Sequence, residues 1–139
     1  MVVPGPNIVV DELISAWEGN DGNFHIDGMP HVTKIPRKPK GVGVEYKCLA
    51  DCQTKIMLKL EIMEGKERNN AKEYNELGFG TAVTLRLTKE YHNTNRAIII
   101  DSAFASLKCV TNLKLKGLFI CGMVKTASRG YSKAFLVEN

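Results

Sequence analysis

Two aspartates stand where a carboxylate can do chemistry. Asp11 lies inside the apolar, β-branched run IVVDELI at 8–14, and Asp101 closes the apolar run RAIIID at 96–101. Both runs read as strands. An ionised carboxylate at the end of a buried strand needs partners, because burying it alone is costly. One partner is the chain itself: Asp101 can cap the following turn by accepting backbone N–H groups near Ala103 and Phe104. The other is a divalent cation. If the two strands lie side by side, both carboxylates meet where open α/β sheets gather their ligands, at the carboxyl ends of strands. Magnesium needs hard oxygen ligands and commonly takes one or two carboxylates, with water and phosphate completing the shell. Two such ions about 4 Å apart activate an attacking oxygen and stabilise a leaving one in phosphodiester chemistry.

The elements that must position this pair follow from the pattern along the chain. After the first strand the polar, Gly-rich stretch GNDGNFHIDGMP at 19–30 reads as a loop. Pro36 and Pro39 flank Arg37 and Lys38, so KIPRKPKG at 34–41 is extended or turning. The alternating runs at 43–49 and 56–63, joined by ADCQTK, predict a β-hairpin. The charged stretch 64–75 reads as a surface loop. Residues 81–88 (TAVTLRLT) predict a helix capped by Thr81. The strand 96–101 shows no alternation, which predicts burial on both faces. Ser106 caps a predicted helix that reaches Lys116, with Leu107, Val110 and Leu113 toward the core and Gly117 as its stop. Residues 118–124 (LFICGMV) predict another buried strand, and the tail begins as a basic loop with a helix starting near Ser132. The order predicts an α/β fold, a mixed sheet with helices on its faces.

Bulk properties narrow the class without naming a function. The 139 residues suit one domain, and the formal charge of +4 mildly favours a polyanionic partner. No run is long enough to span a bilayer and no signal pattern opens the chain, so a nuclear or cytosolic location is expected. The four cysteines are too scattered for a disulfide framework, and Cys48 and Cys52 lack a second pair to complete a zinc site. They read as reduced, mostly buried thiols, and His25, His31 and His92 as loop histidines. Lys34, Arg37, Lys38 and Lys40 form one basic cluster; Lys125, Arg129 and Lys133 form another. Either is a solvated loop or a set of contacts to DNA phosphates.

Four blocks in order resemble the piggyBac-type DNA transposases. VVDELISAWEG is similar to the motif around that family's first catalytic aspartate, and HVTKIPRKPKGVGVEYKCLADCQTKIM to the block that follows it. TLRLTKEYHNTNRAIIIDSAFASLKCVTNL resembles the second catalytic block, and LFICGMVKTASRGYSKAFL the strand and basic turn after it. The resemblance implies an RNase H-like catalytic core, here one domain over 1–139 that is partial and truncated at both ends relative to the family. It implies a DDD-type cut-and-paste transposase with two magnesium ions, in which Asp11 and Asp101 are the first and second metal ligands. It further implies transposon-end DNA as partner, TTAA target sites, a homodimer in the full-length family and residence in the nucleus. Lys34, Arg37, Lys38, Lys40, Lys125 and Arg129 are the expected DNA contacts.

The family's third aspartate comes well downstream of the second, whereas only Glu138 is acidic after Asp101 here. Ala103 stands where the family usually has Trp, and Glu18 where it usually has Arg. The expectation is an incomplete site that is inactive alone. The alternative is a decayed or domesticated, non-catalytic DNA-binding or protein-interaction domain.

Overall fold

The computed structural model of the protein describes residues 3–16, 31–36, 38–123 and 125. Among these residues six strands form one mixed sheet: β1 (Asn7–Ala16), β2 (Val32–Lys34), β3 (Val42–Asp51), β4 (Met57–Ile62), β5 (Ala97–Ile100) and β6 (Phe119–Gly122). They lie in the order β2-β3-β1-β5-β6, with β4 also paired to β3. The pairs β1–β3, β2–β3 and β3–β4 are antiparallel; β1–β5 and β5–β6 are parallel. The helices are α1 (Lys66–Asn70), α2 (Phe79–Leu87) and α3 (Leu107–Leu115). This is the expected α/β architecture, an RNase H-like mixed sheet flanked by helices.

One face of the sheet carries the core. Ile8 and Val10 of β1, Leu49 of β3, and Ile98 and Ile100 of β5 cluster with Val83, Leu85 and Leu87 of α2 and Cys109 and Leu113 of α3. Burying each large side chain contributes about 1.5–3 kcal/mol. Helix α2 is buried almost all round, and Thr84 and Thr88 allow this by returning their hydroxyls to the backbone. Thr84 Oγ1 donates to Gly80 O at 2.8 Å and Thr88 Oγ1 to Thr84 O at 2.8 Å.

Several expectations are corrected by packing. Helix α2 starts at Phe79 with Gly78 as its cap, so Thr81 is a buried interior residue. The stretch 64–75 contains the short helix α1, which buries nothing and therefore left no apolar period to read. The two-face burial expected of β5 holds on one face only: Ile98 and Ile100 are buried, Ala97 and Ile99 half-buried. Strand β6 is not buried, with Phe119, Cys121 and Gly122 exposed. Of the thiols, Cys48 and Cys109 are buried, Cys52 is half-buried and Cys121 is exposed. On α3 the core is met by Cys109 and Leu113, while Leu107 is 53% exposed.

Other expectations hold in detail. Ser106 Oγ accepts from Cys109 N at 3.0 Å, the cap expected for α3. Gly117 follows that helix with φ 65°, and Leu118 N bonds back to Leu113 O at 3.0 Å, so the helix stops where glycine alone is unstrained. His31 and His92 lie outside helices and strands; His25 and the tail helix expected near Ser132 lie outside the described residues.

Candidate functional site

Parallel pairing brings the two aspartates together. The β1–β5 register runs from Asn7 against Ala97 to Val10 against Ile100, and the next residue on each strand is Asp11 and Asp101. Adjacent strands are about 4.8 Å apart, so the two residues are neighbours where the β1–β5 pairing ends, while β1 itself runs on beside β3 to Ala16. Both side chains are exposed. Asp11 Oδ1 accepts from Glu12 N at 2.7 Å, and Asp101 Oδ1 accepts from Ala103 N at 2.8 Å. The turn cap and the cation site are therefore compatible readings of Asp101, because the second oxygen of each carboxylate takes no part in these bonds.

The turn after Asp101 is held from its backbone. Phe104 N and Ala105 N donate to Asp101 O at 3.2 and 3.1 Å. The first turn of α2 packs against it so closely that a methyl group on Gly80 would sit 3.1 Å from Ala103 O and 3.2 Å from Phe104 Cα. Between them lies a cleft of about 320 Å3, lined by Phe79, Thr81, Ala103, Phe104, Ser106 and Lys108 among others.

Around Asp11 the support comes from β3. Cys48 is paired with it, and its Sγ donates to Asp11 O at 3.4 Å. Burial, and then the charge of Asp11, push the Cys48 thiol above its ordinary range, so it stays protonated at neutral pH. On the opposite face Lys47, 4% exposed, reaches Glu12 Oε2 at 2.9 Å and Glu45 Oε1 at 2.6 Å. Burial alone would lower the Lys47 pKa, but the hydrogen bonds and charges of Glu45 and Glu12 outweigh it and hold the ammonium above its ordinary value. Sequence pattern did not single out Lys47, Glu12 or Glu45. The signal was there in principle: opposite charges fall on strands that pair.

The first basic cluster flanks the same strand. Lys34 on β2 and Lys40 in the β2–β3 turn are exposed, while Lys38 is half-buried and donates to Glu12 O at 3.3 Å. Lys125 is exposed, and Arg37, Arg129 and Lys133 lie outside the described residues. The two basic clusters are thus not shown to meet. Asp51 is 1% exposed and structural: it accepts from Gly5 N at 3.0 Å, Thr54 N at 2.7 Å and Thr54 Oγ1 at 2.6 Å. The Thr54 hydroxyl, then the backbone donors, hold its carboxyl below the ordinary range.

Donor chemistry fits a divalent cation. Two carboxylates where the β1–β5 pairing ends are the hard oxygen set that magnesium takes together with water and phosphate. Among the described residues no cluster of three or more His, Cys, Asp or Glu forms around a common point. Among the same residues no helix is long and apolar enough to cross a membrane.

The fold has a counterpart among solved structures. A cryo-EM structure of the piggyBac transposase synaptic complex with hairpin DNA shares the fold, with a TM-score of 0.79 and 24% identity over 99% of this chain. The chain spans about a quarter of the length of that transposase chain, 26%. No curated protein matches the chain. The family model described as Transposase IS4 matches residues 1–139, the whole sequence. With paired aspartates on parallel strands, the piggyBac transposase fold and a family match from end to end, this chain belongs to the Transposase IS4 family.

Proposed function

We propose that the chain is part of a piggyBac-type transposase core in which Asp11 and Asp101 hold a divalent cation against a DNA phosphodiester. The observation that carries this reading is the parallel β1–β5 register, whose last partners, Val10 and Ile100, immediately precede Asp11 and Asp101. The family match and the shared fold support it. Magnesium is the expected ion; bound there, it would offset charge on the reacting phosphate and lower the pKa of an attacking water.

The chain's own residues do the rest. Asp11 and Asp101 orient oxygen ligands, and each is fixed by a backbone N–H that limits its rotation. Lys34 on β2 and Lys40 in the β2–β3 turn, both beside β3, neutralise DNA phosphates without reading sequence. Lys38 contributes charge while holding the hairpin to Glu12. Arg37, Lys125 and Arg129 are further phosphate contacts in this reading. In this reading the target is transposon-end DNA with TTAA sites, the full-length protein is a homodimer, and the site of action is the nucleus.

Fluorescence anisotropy with a short duplex at several salt concentrations tests this. If Lys34, Lys38 and Lys40 each neutralise one phosphate, the slope of log K against log salt is about −2.7 from these contacts. Lys34→Gln and Lys40→Gln each flatten it by about 0.9. Affinity that ignores salt would overturn the phosphate contacts. A TTAA-containing duplex bound no better than a scrambled one would remove target specificity from this chain. A tagged chain confined to the cytoplasm would contradict the nuclear assignment.

A further inference from the structure

The helix-side face of the sheet changes character one residue beyond the core. Val10 pairs with Leu49 in the apolar layer, and the next inward-facing pair on the same two strands is Glu12 with Lys47. Lys47, on the face opposite Asp11, touches a group next to each aspartate. Its Nζ bonds Glu12, the neighbour of Asp11 on β1. The same Nζ sits 5.2 Å from the ring centroid of Phe104, in the turn that Asp101 opens, and 5.7 Å from that of Phe79. One buried ammonium thus ties the strand that carries Asp11 to the turn that follows Asp101.

Stability alone is a poor reason for such a cluster. A buried ion group of this kind is often matched or bettered by apolar side chains of similar volume. What an ammonium adds is a fixed relation among the groups it touches, here two strands and an aromatic turn. A cation site is sensitive to that relation, since outer partners of metal ligands change affinity about 10- to 100-fold when removed.

We infer that Lys47 is a positioning residue that sets the geometry of the Asp11–Asp101 pair from the far face of the sheet. The inference rests on the reading of that pair as a cation site. Titration of Mn2+ alone into the 139-residue chain, with bound metal read by electron paramagnetic resonance, tests both. Lys47→Met weakens Mn2+ binding about tenfold or more while circular dichroism stays native. Lys47→Arg restores most of the affinity, because a guanidinium reaches both carboxylates and stacks on the rings. Arg86→Met breaks the Arg86–Glu61 bridge between α2 and β4 and leaves Mn2+ affinity unchanged.

Wild-type affinity in folded Lys47→Met would overturn the inference, as would an equal loss in Arg86→Met, which would mark a general stability effect. If Lys47→Met does not fold, Phe104→Leu removes the aromatic contact and leaves the ion cluster. A several-fold loss of Mn2+ affinity supports the inference there, and no change overturns it. Wild-type Mn2+ binding that survives Asp11→Asn would instead sink the cation reading, and the inference with it.

Discussion

Gly80 offers the sharpest test of how the fold supports the site. It lies in the first turn of α2, where alanine would ordinarily stabilise the helix by about 1 kcal/mol. Here the added methyl meets Ala103 O at 3.1 Å and Phe104 Cα at 3.2 Å, both belonging to the turn that Asp101 opens. Those are backbone neighbours with little freedom to yield, since Asp101 O already holds Phe104 N and Ala105 N. Overpacking of this kind costs about 1–3 kcal/mol. Taking about 2 kcal/mol for the clash against a gain of about 1, Gly80→Ala is expected to lose about 1 kcal/mol. For a chain of this length that is a fall in Tm of about 3–4 °C. The same displacement moves Asp101 relative to Asp11, so affinity for Mn2+ falls several-fold. Thermal denaturation with and without Mn2+ reads both effects. A variant stabilised by about 1 kcal/mol with unchanged metal affinity would refute the claim that α2 buttresses the aspartate turn.

Two further outcomes follow from the same structure. Ser106→Ala removes the cap on Cys109 N and should cost about 1 kcal/mol in urea denaturation, whereas Ser106→Asp should retain most of it. Asp51 is held below its ordinary value of 3.8 by the Thr54 hydroxyl and by backbone donors. Its stabilisation is complete above that ordinary value and disappears as pH falls through the lower, folded-state value. Acid titration of Tm should therefore fall more steeply below about pH 3.8 in the wild type than in Asp51→Asn, and parallel curves would show that the carboxylate contributes nothing.

The features that sequence made visible are those governed by local chemistry. The apolar β-branched runs became β1 and β5, Ser106 capped α3 and Gly117 ended it. The pair was visible as one carboxylate inside an apolar run and one closing another, but only parallel pairing of strands some ninety residues apart made them neighbours. Where long-range packing decides, local pattern misled. Gly78 and Gly80 look like breakers before a helix, yet Gly80 lies inside α2 because the aspartate turn packs too close for a side chain. Lys47 looks like the solvent side of an alternating strand. It is buried because Glu12 pairs with it across β1 and because Phe104 folds over it from the aspartate turn. β6 has the composition of a core strand, but on the face it shares with Asp11 its Phe119 is 65% exposed, as is Leu60 of β4 at 49%.

The central claim is that Asp11 and Asp101 together hold one divalent cation at the end of the β1–β5 pair. Crystals of the 139-residue chain soaked in Mn2+ and measured near the manganese absorption edge address it directly. The account expects an anomalous peak within bonding distance of one oxygen from each aspartate, absent in Asp11→Asn and in Asp101→Asn. A fully occupied peak elsewhere, or none at saturating Mn2+ with the two carboxylates turned apart, would contradict it.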